Sequence, residues 1–227
     1  MKQNITINNI ARVGMIAGWL TLAGIVLFAV IGPLLVAGPR VSGTLDATST
    51  SIQAYYRHGA LAYFAAAQFL IPLAFVPFAL ALRESLAGAE RARFLAQLGL
   101  LFAIAFAPLL TTRSALQATL VTTATSGGDI VPLFRFWDML YNSGLYAMAA
   151  GLTATFALAM RETHEFPRWM PIFGLVVGAL QLVNLSALIL GIADTVTLVG
   201  NLAFVVWFIG SYAGSVKKVK HVATLVV

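Results

Sequence analysis

The reactive chemistry open to this chain is narrow, and most constellations fail on spacing. His164-Glu165 begins like a zinc-protease helix, but Arg168 stands where the second histidine would be, so the pair of imidazoles on one helical face is missing. Asn142-Ser143-Gly144 offers a hydroxyl nucleophile, yet no histidine lies inside an apolar run to act as its base. The three histidines, His58, His164 and His221, fall at an edge, in a short polar connection and in the C-terminal tail, so they cannot face each other across a haem. No lysine lies inside an apolar run to carry a retinal, and neither paired carboxylates of a prenyl transferase nor a glycine-rich phosphate loop occurs. Cysteine is absent, which removes disulfides, thiolate ligands and a thiol nucleophile. The expectation is a non-enzymatic protein with no cofactor and no metal.

What remains is a set of polar side chains embedded in apolar sequence: Gln68, Arg113, Asp138, Asn142, Gln181, Asn184 and Asn201. These could bind a small polar ligand, and what they do depends on the elements that carry them. Of the 227 residues, 60% are apolar and 10% charged, against about 45–50% and about 25% in soluble domains. Long apolar runs occur at about Val13–Ala37, Gly59–Leu82, Phe94–Gln117, Asp138–Met160, Trp169–Gly191 and Thr195–Ser215. Each reaches the roughly 20 residues a spanning helix needs, and a backbone in lipid must be helical unless it closes a barrel. The reading is an all-α membrane protein, a single domain over 1–227 built as a six-transmembrane-helix bundle. The first run is too long for the 7–15 apolar residues of a signal peptide and is read as a retained helix.

Charge sets the orientation. With the N-terminus inside, the inner segments hold Lys2, Arg12, Arg83, Arg91, Arg93, Arg161, Arg168, Lys217, Lys218 and Lys220, and the outer ones Arg40, Arg57, Arg113 and Arg135. The acids divide evenly, with Glu84, Glu90, Glu162 and Glu165 inside and Asp46, Asp129, Asp138 and Asp194 outside. The whole net charge of +6 therefore sits on one face, as the positive-inside rule requires. Both termini are expected in the cytoplasm, with the chain in a bacterial inner membrane. Basic residues scattered beside apolar runs form no continuous face for nucleic acid, so the expected partners are the lipid bilayer and either a small-molecule ligand or other membrane subunits. The inner connections, Arg83–Arg93 and Arg161–Arg168, are short. The first two outer ones, Gly38–His58 and Ala118–Trp137, are long, and the third, Ile192–Asp194, is a tight turn.

An internal repeat joins the second and third runs to the fourth and fifth. Phe78-Ala79-Leu80-Ala81-Leu82-Arg83-Glu84-Ser85 matches Phe156-Ala157-Leu158-Ala159-Met160-Arg161-Glu162-Thr163, and Arg93-Phe94-Leu95 leading to Gly99 matches Arg168-Trp169-Met170 leading to Gly174. An arginine at the headgroups followed by a glycine two turns deeper suits close helix approach. Arg12 and Gly18 open the first run at the same spacing. Three helix pairs of one orientation are the outline of mitochondrial carriers, but their proline–acid–base signature is missing and that family is rejected.

Depth follows from about 1.5 Å rise per residue, measured from the inner basic residue of each run. Gln68, Gln181, Asn184 and Asn201 lie about 20–24 Å up, and Asn142, Arg113 and Asp138 about 28–34 Å. The inner half has no comparable polar group. Gly174, Gly178, Gln181 and Asn184 share one helical face, and Pro72, Pro77 and Pro108 should bend the second and third runs. The expectation is an outward-facing polar pocket for transport or sensing, with Arg113 and Asp138 paired across it. The alternative is an accessory subunit of a larger membrane complex, its amides bridging helices.

The layout is similar to a bacterial family of small multi-pass membrane proteins known as a domain of unknown function. The resemblance rests on Arg12 and Gly18 opening the first run, the outer loop of about twenty residues and Pro167-Arg168-Trp169-Met170 with Gly174 opening the fifth. It implies a multi-pass fold and brings no activity.

Overall fold

The computed structural model describes residues 13–14, 16–21, 23–24, 49–57, 70–190 and 194–225. Regular structure among them is entirely helical. Beyond the helical residues within 13–24, the order is α1 (Ser49–Tyr56), α2 (Leu70–Ser85), α3 (Glu90–Thr125) and α4 (Val131–Met139). A π-helical turn (Leu140–Leu145) follows, then α5 (Tyr146–Thr163), α6 (Trp169–Leu190) and α7 (Asp194–Leu225).

Local chemistry sets the ends. α3 starts with Glu90, an acid placed favourably against the helix dipole. α5 stops at His164, whose N–H still bonds to the Met160 carbonyl while its left-handed backbone (φ 55°) turns the chain out of the helix, and Pro167 then blocks continuation. The two matching sequence stretches end alike: Ser85 Oγ donates to the Leu82 carbonyl at 2.7 Å and Thr163 Oγ1 to that of Met160 at 3.2 Å. Glu84 pairs with Arg83, whereas Glu162 reaches Arg91 at 3.5 Å.

Helices adjacent in sequence pack side by side. α2 lies on α3, α3 on α5, α5 on α6 and α6 on α7, and α7 returns to α2, closing a ring. Residues 14, 17, 18, 21 and 24 of the N-terminal stretch are buried while 13, 16, 19, 20 and 23 are exposed. That small-residue face seats Gly14 on Ala81 of α2 and Gly18 on the Tyr212 ring of α7, the close approach that glycine permits. Gly99 and Gly174, equivalent in the repeat, meet Phe156 and Trp207 respectively.

Aromatic side chains fill the ring below the polar layer. Phe78 sits 4.3 Å from Phe208, and Phe75 packs on both Phe208 at 5.6 Å and Phe106 at 5.2 Å. Each such pair adds about 0.5–1.5 kcal/mol beyond its buried area. The outside of the ring is also apolar: Ile172, Val176 and Val183 on α6, with Val199, Leu202 and Val206 on α7, are 40–65% exposed. Soluble monomers rarely show apolar patches of such extent. Among the described residues one helix, α3, is by itself long and apolar enough to cross a membrane; Trp169–Leu185 and Val199–Ser215 are shorter apolar runs.

The segment read as a long outer connection, 118–137, is largely helical. α3 continues to Thr125 and α4 begins at Val131. The reason is burial. Leu120, Val121 and Ala124 join Ile130 and Phe134 in a second apolar cluster, covered by Ile52 and Tyr56 of α1.

Candidate polar site at one end of the bundle

Two groups of polar side chains lie toward the end of the bundle where α3 finishes and α5 begins. The first is built on α3 and α4. Arg113 is buried, its guanidinium carbon 5.5 Å from the centre of the Trp137 ring, where the indole face attracts the cation. Ser114 and Gln117 are buried beside and one turn beyond it. Asp138 follows Trp137 on α4 and is 2% exposed.

The π turn links this group to the second. It carries the backbone of Asn142 and packs against α3, α5 and α6. In an unbroken α-helix, residues eight apart point about 80° away from each other. Absorbing one extra residue, as a π turn does, brings them within about 20°. Asp138 before the turn and Tyr146 after it are eight apart, and both are buried. Such turns recur at functional sites.

The second group joins α5, α6 and α7. Gln181, 1% exposed, donates from Nε2 to the Gly200 carbonyl at 2.9 Å. Asn201 donates from Nδ2 to the Tyr146 hydroxyl at 3.3 Å. Asn184 is fully buried, and neither its Nδ2 nor its Oδ1 has a hydrogen-bond partner. A methyl at Gly200 would stand 2.5 Å from that Nδ2, so the bare backbone of α7 is what gives the amide room. Most buried polar atoms in folded proteins are satisfied, and Asn184 departs from that rule at both of its side-chain polar atoms.

The seven polar residues singled out in the sequence thus divide. Arg113 and Asp138 belong to the first group, Gln181, Asn184 and Asn201 to the second, and Asn142 to the turn between. Gln68 lies outside the described residues. Ser114, Gln117, Trp137 and Tyr146 belong to the layer without having been singled out. Gln117 and Tyr146 each stand four residues after a chosen one, Arg113 and Asn142, and that spacing was the available signal. Among the described residues no three His, Asp or Glu side chains come together to hold a metal. The arrangement suits hydrogen bonding and charge recognition. No family model, curated protein or solved structure matches the chain.

Proposed function

We propose that this protein is a multi-pass membrane protein of six spanning helices, N- and C-termini inside, that binds a small polar solute through the outer layer of its bundle. The observation that carries the reading is Asn184: a fully buried amide whose donor and acceptor are both unmet costs stability unless something supplies partners. The exposed apolar stripes of α6 and α7 support a lipid surround, and the +6 charge all on one face supports the orientation. Polar groups within a membrane are functional candidates by default.

The layer also favours a class of ligand. Its formal charges, Arg113 and Asp138, cancel, and the rest are amides and hydroxyls. A lone ion would lose its hydration without a net countercharge, so a neutral or zwitterionic solute fits better. Arg113 and Asp138 are read as an ion pair that such a solute can engage at both ends.

The test is a panel of amides, sugars, amino acids and simple salts added to detergent-purified protein, read by thermal stability and by tryptophan fluorescence, since Trp137 lies in the layer. Saturable stabilisation by a neutral or zwitterionic compound, lost in Asn184→Leu, supports the proposal. No response to any solute, together with stoichiometric co-purification of a membrane subunit, favours the accessory role instead.

A further inference from the structure

The short helix α1 lies over the charged end of the polar layer and is fastened there by one polar side chain. Gln53 is half-buried, and its Nε2 donates to two carbonyls, Ala124 at 3.3 Å and Gly128 at 3.2 Å. The acceptors are near the end of α3 and in the connection to α4, more than seventy residues away in the chain. Both amide hydrogens are therefore spent holding α1 down. Ile52 and Tyr56, one turn apart, are buried in the second apolar cluster.

Beneath α1 a continuous stack leads inward. Tyr56 meets Phe134 edge-on at 6.1 Å, Phe134 stacks on Trp137 at 5.7 Å, and Trp137 carries Arg113 on its face at 5.5 Å. Gln117 is buried one turn inside Leu120 and Val121, the α3 residues that α1 covers. Gln117, Trp137 and Arg113 therefore lie behind the surface that α1 covers.

We propose that α1 is a lid: it closes the Arg113 end of the layer, Gln53 is its latch, and its lifting admits solute. The inference rests on the binding role given to the layer, but the lid is measurable with no ligand present. The chain contains no cysteine, so a single introduced thiol reports access without background. The reporter is Gln117→Cys, reacted with a charged methanethiosulfonate on the purified protein. Adding Gln53→Ala removes two hydrogen bonds of the closed form and should speed the reaction on the order of tenfold. The control thiol is Met160→Cys, fully buried at the inner end of α5, whose rate should not change.

Equal acceleration at both thiols would mean general loosening and would overturn the lid, as would no change at Gln117→Cys. If Gln117→Cys is not recovered folded, Ser114→Cys, a near-isosteric change beside Arg113, carries the same comparison. Accelerated thiol reaction without any solute response would leave the lid standing and remove the ligand reading.

Discussion

Replacing Asn184 with leucine should make the ligand-free protein more stable. Its side chain is wholly buried, both polar atoms lack partners, and its Nδ2 occupies the space that a Cβ at position 200 would need. An unmet buried polar atom costs about 1–3 kcal/mol, and polar contacts between helices in lipid are worth about 0.6–2 kcal/mol. Leucine has nearly the same outline without either polar atom. Its methyls are bulkier than the amide, and crowding of that kind costs on the order of 1 kcal/mol. The balance is a net gain of about 1–3 kcal/mol, or about 2–12 °C in melting temperature for a chain of this size. The assay is thermal unfolding of purified wild type, Asn184→Leu and Asn184→Ala in one detergent, with no added solute. Alanine also removes the orphaned atoms but leaves a void, so it should fall below leucine. If Asn184→Leu instead melts several degrees below wild type, the amide is satisfied in the working protein and the argument from an unmet polar group is wrong. The same variant should be blind to any solute that stabilises wild type, which separates stability from recognition.

Three further outcomes follow from the packing. Gly174→Ala should cost about 1–3 kcal/mol, because the added methyl meets the Ala157 Cβ at 2.7 Å and the Trp207 indole; Gly178→Ala, with its nearest neighbours at 3.4–3.5 Å, should cost far less in the same unfolding assay. Tyr146→Phe removes the acceptor of the Asn201 amide and should lower stability by about 0.5–1.5 kcal/mol, an effect that shrinks when Asn201 is already leucine. Arg113→Gln and Asp138→Asn should each destabilise, and the double variant should fall short of their sum by at least about 1 kcal/mol; additive effects would show that the two charges do not interact.

The polar layer was legible because Gln181 and Asn184 are amides in an otherwise apolar run, and helical spacing placed them on the glycine face that is in fact buried. Their pairing was not legible, since whether an amide meets a partner depends on the rotation of α7, which decides that Gly200 and not a side chain faces α6. The stretch 118–125 reads as a loop because Thr119, Thr122 and Thr125 are poor helix formers. In the structure their hydroxyls bond back to carbonyls of their own helix at 2.9–3.2 Å, and α1 covers Leu120 and Val121. Tertiary burial overrode local preference there. The π turn left no trace in the apolar pattern, because one extra residue in a continuous run changes which face points inward without changing composition. α1 was hidden for a different reason: Ile52 and Tyr56, which join the second apolar cluster, sit in a helix of eight residues rich in Ser, Thr and Gln, too short to show a period.

The most direct test of the central claim places one thiol at each end of α3. Ser126 and Gly88 are both exposed and lie just beyond its two ends. In intact cells with the outer envelope removed, a membrane-impermeant maleimide should label Ser126→Cys at once and Gly88→Cys only after lysis. Labelling of both from the same side, or recovery of the chain in the soluble fraction, would contradict an outward-facing polar layer in a membrane-spanning bundle.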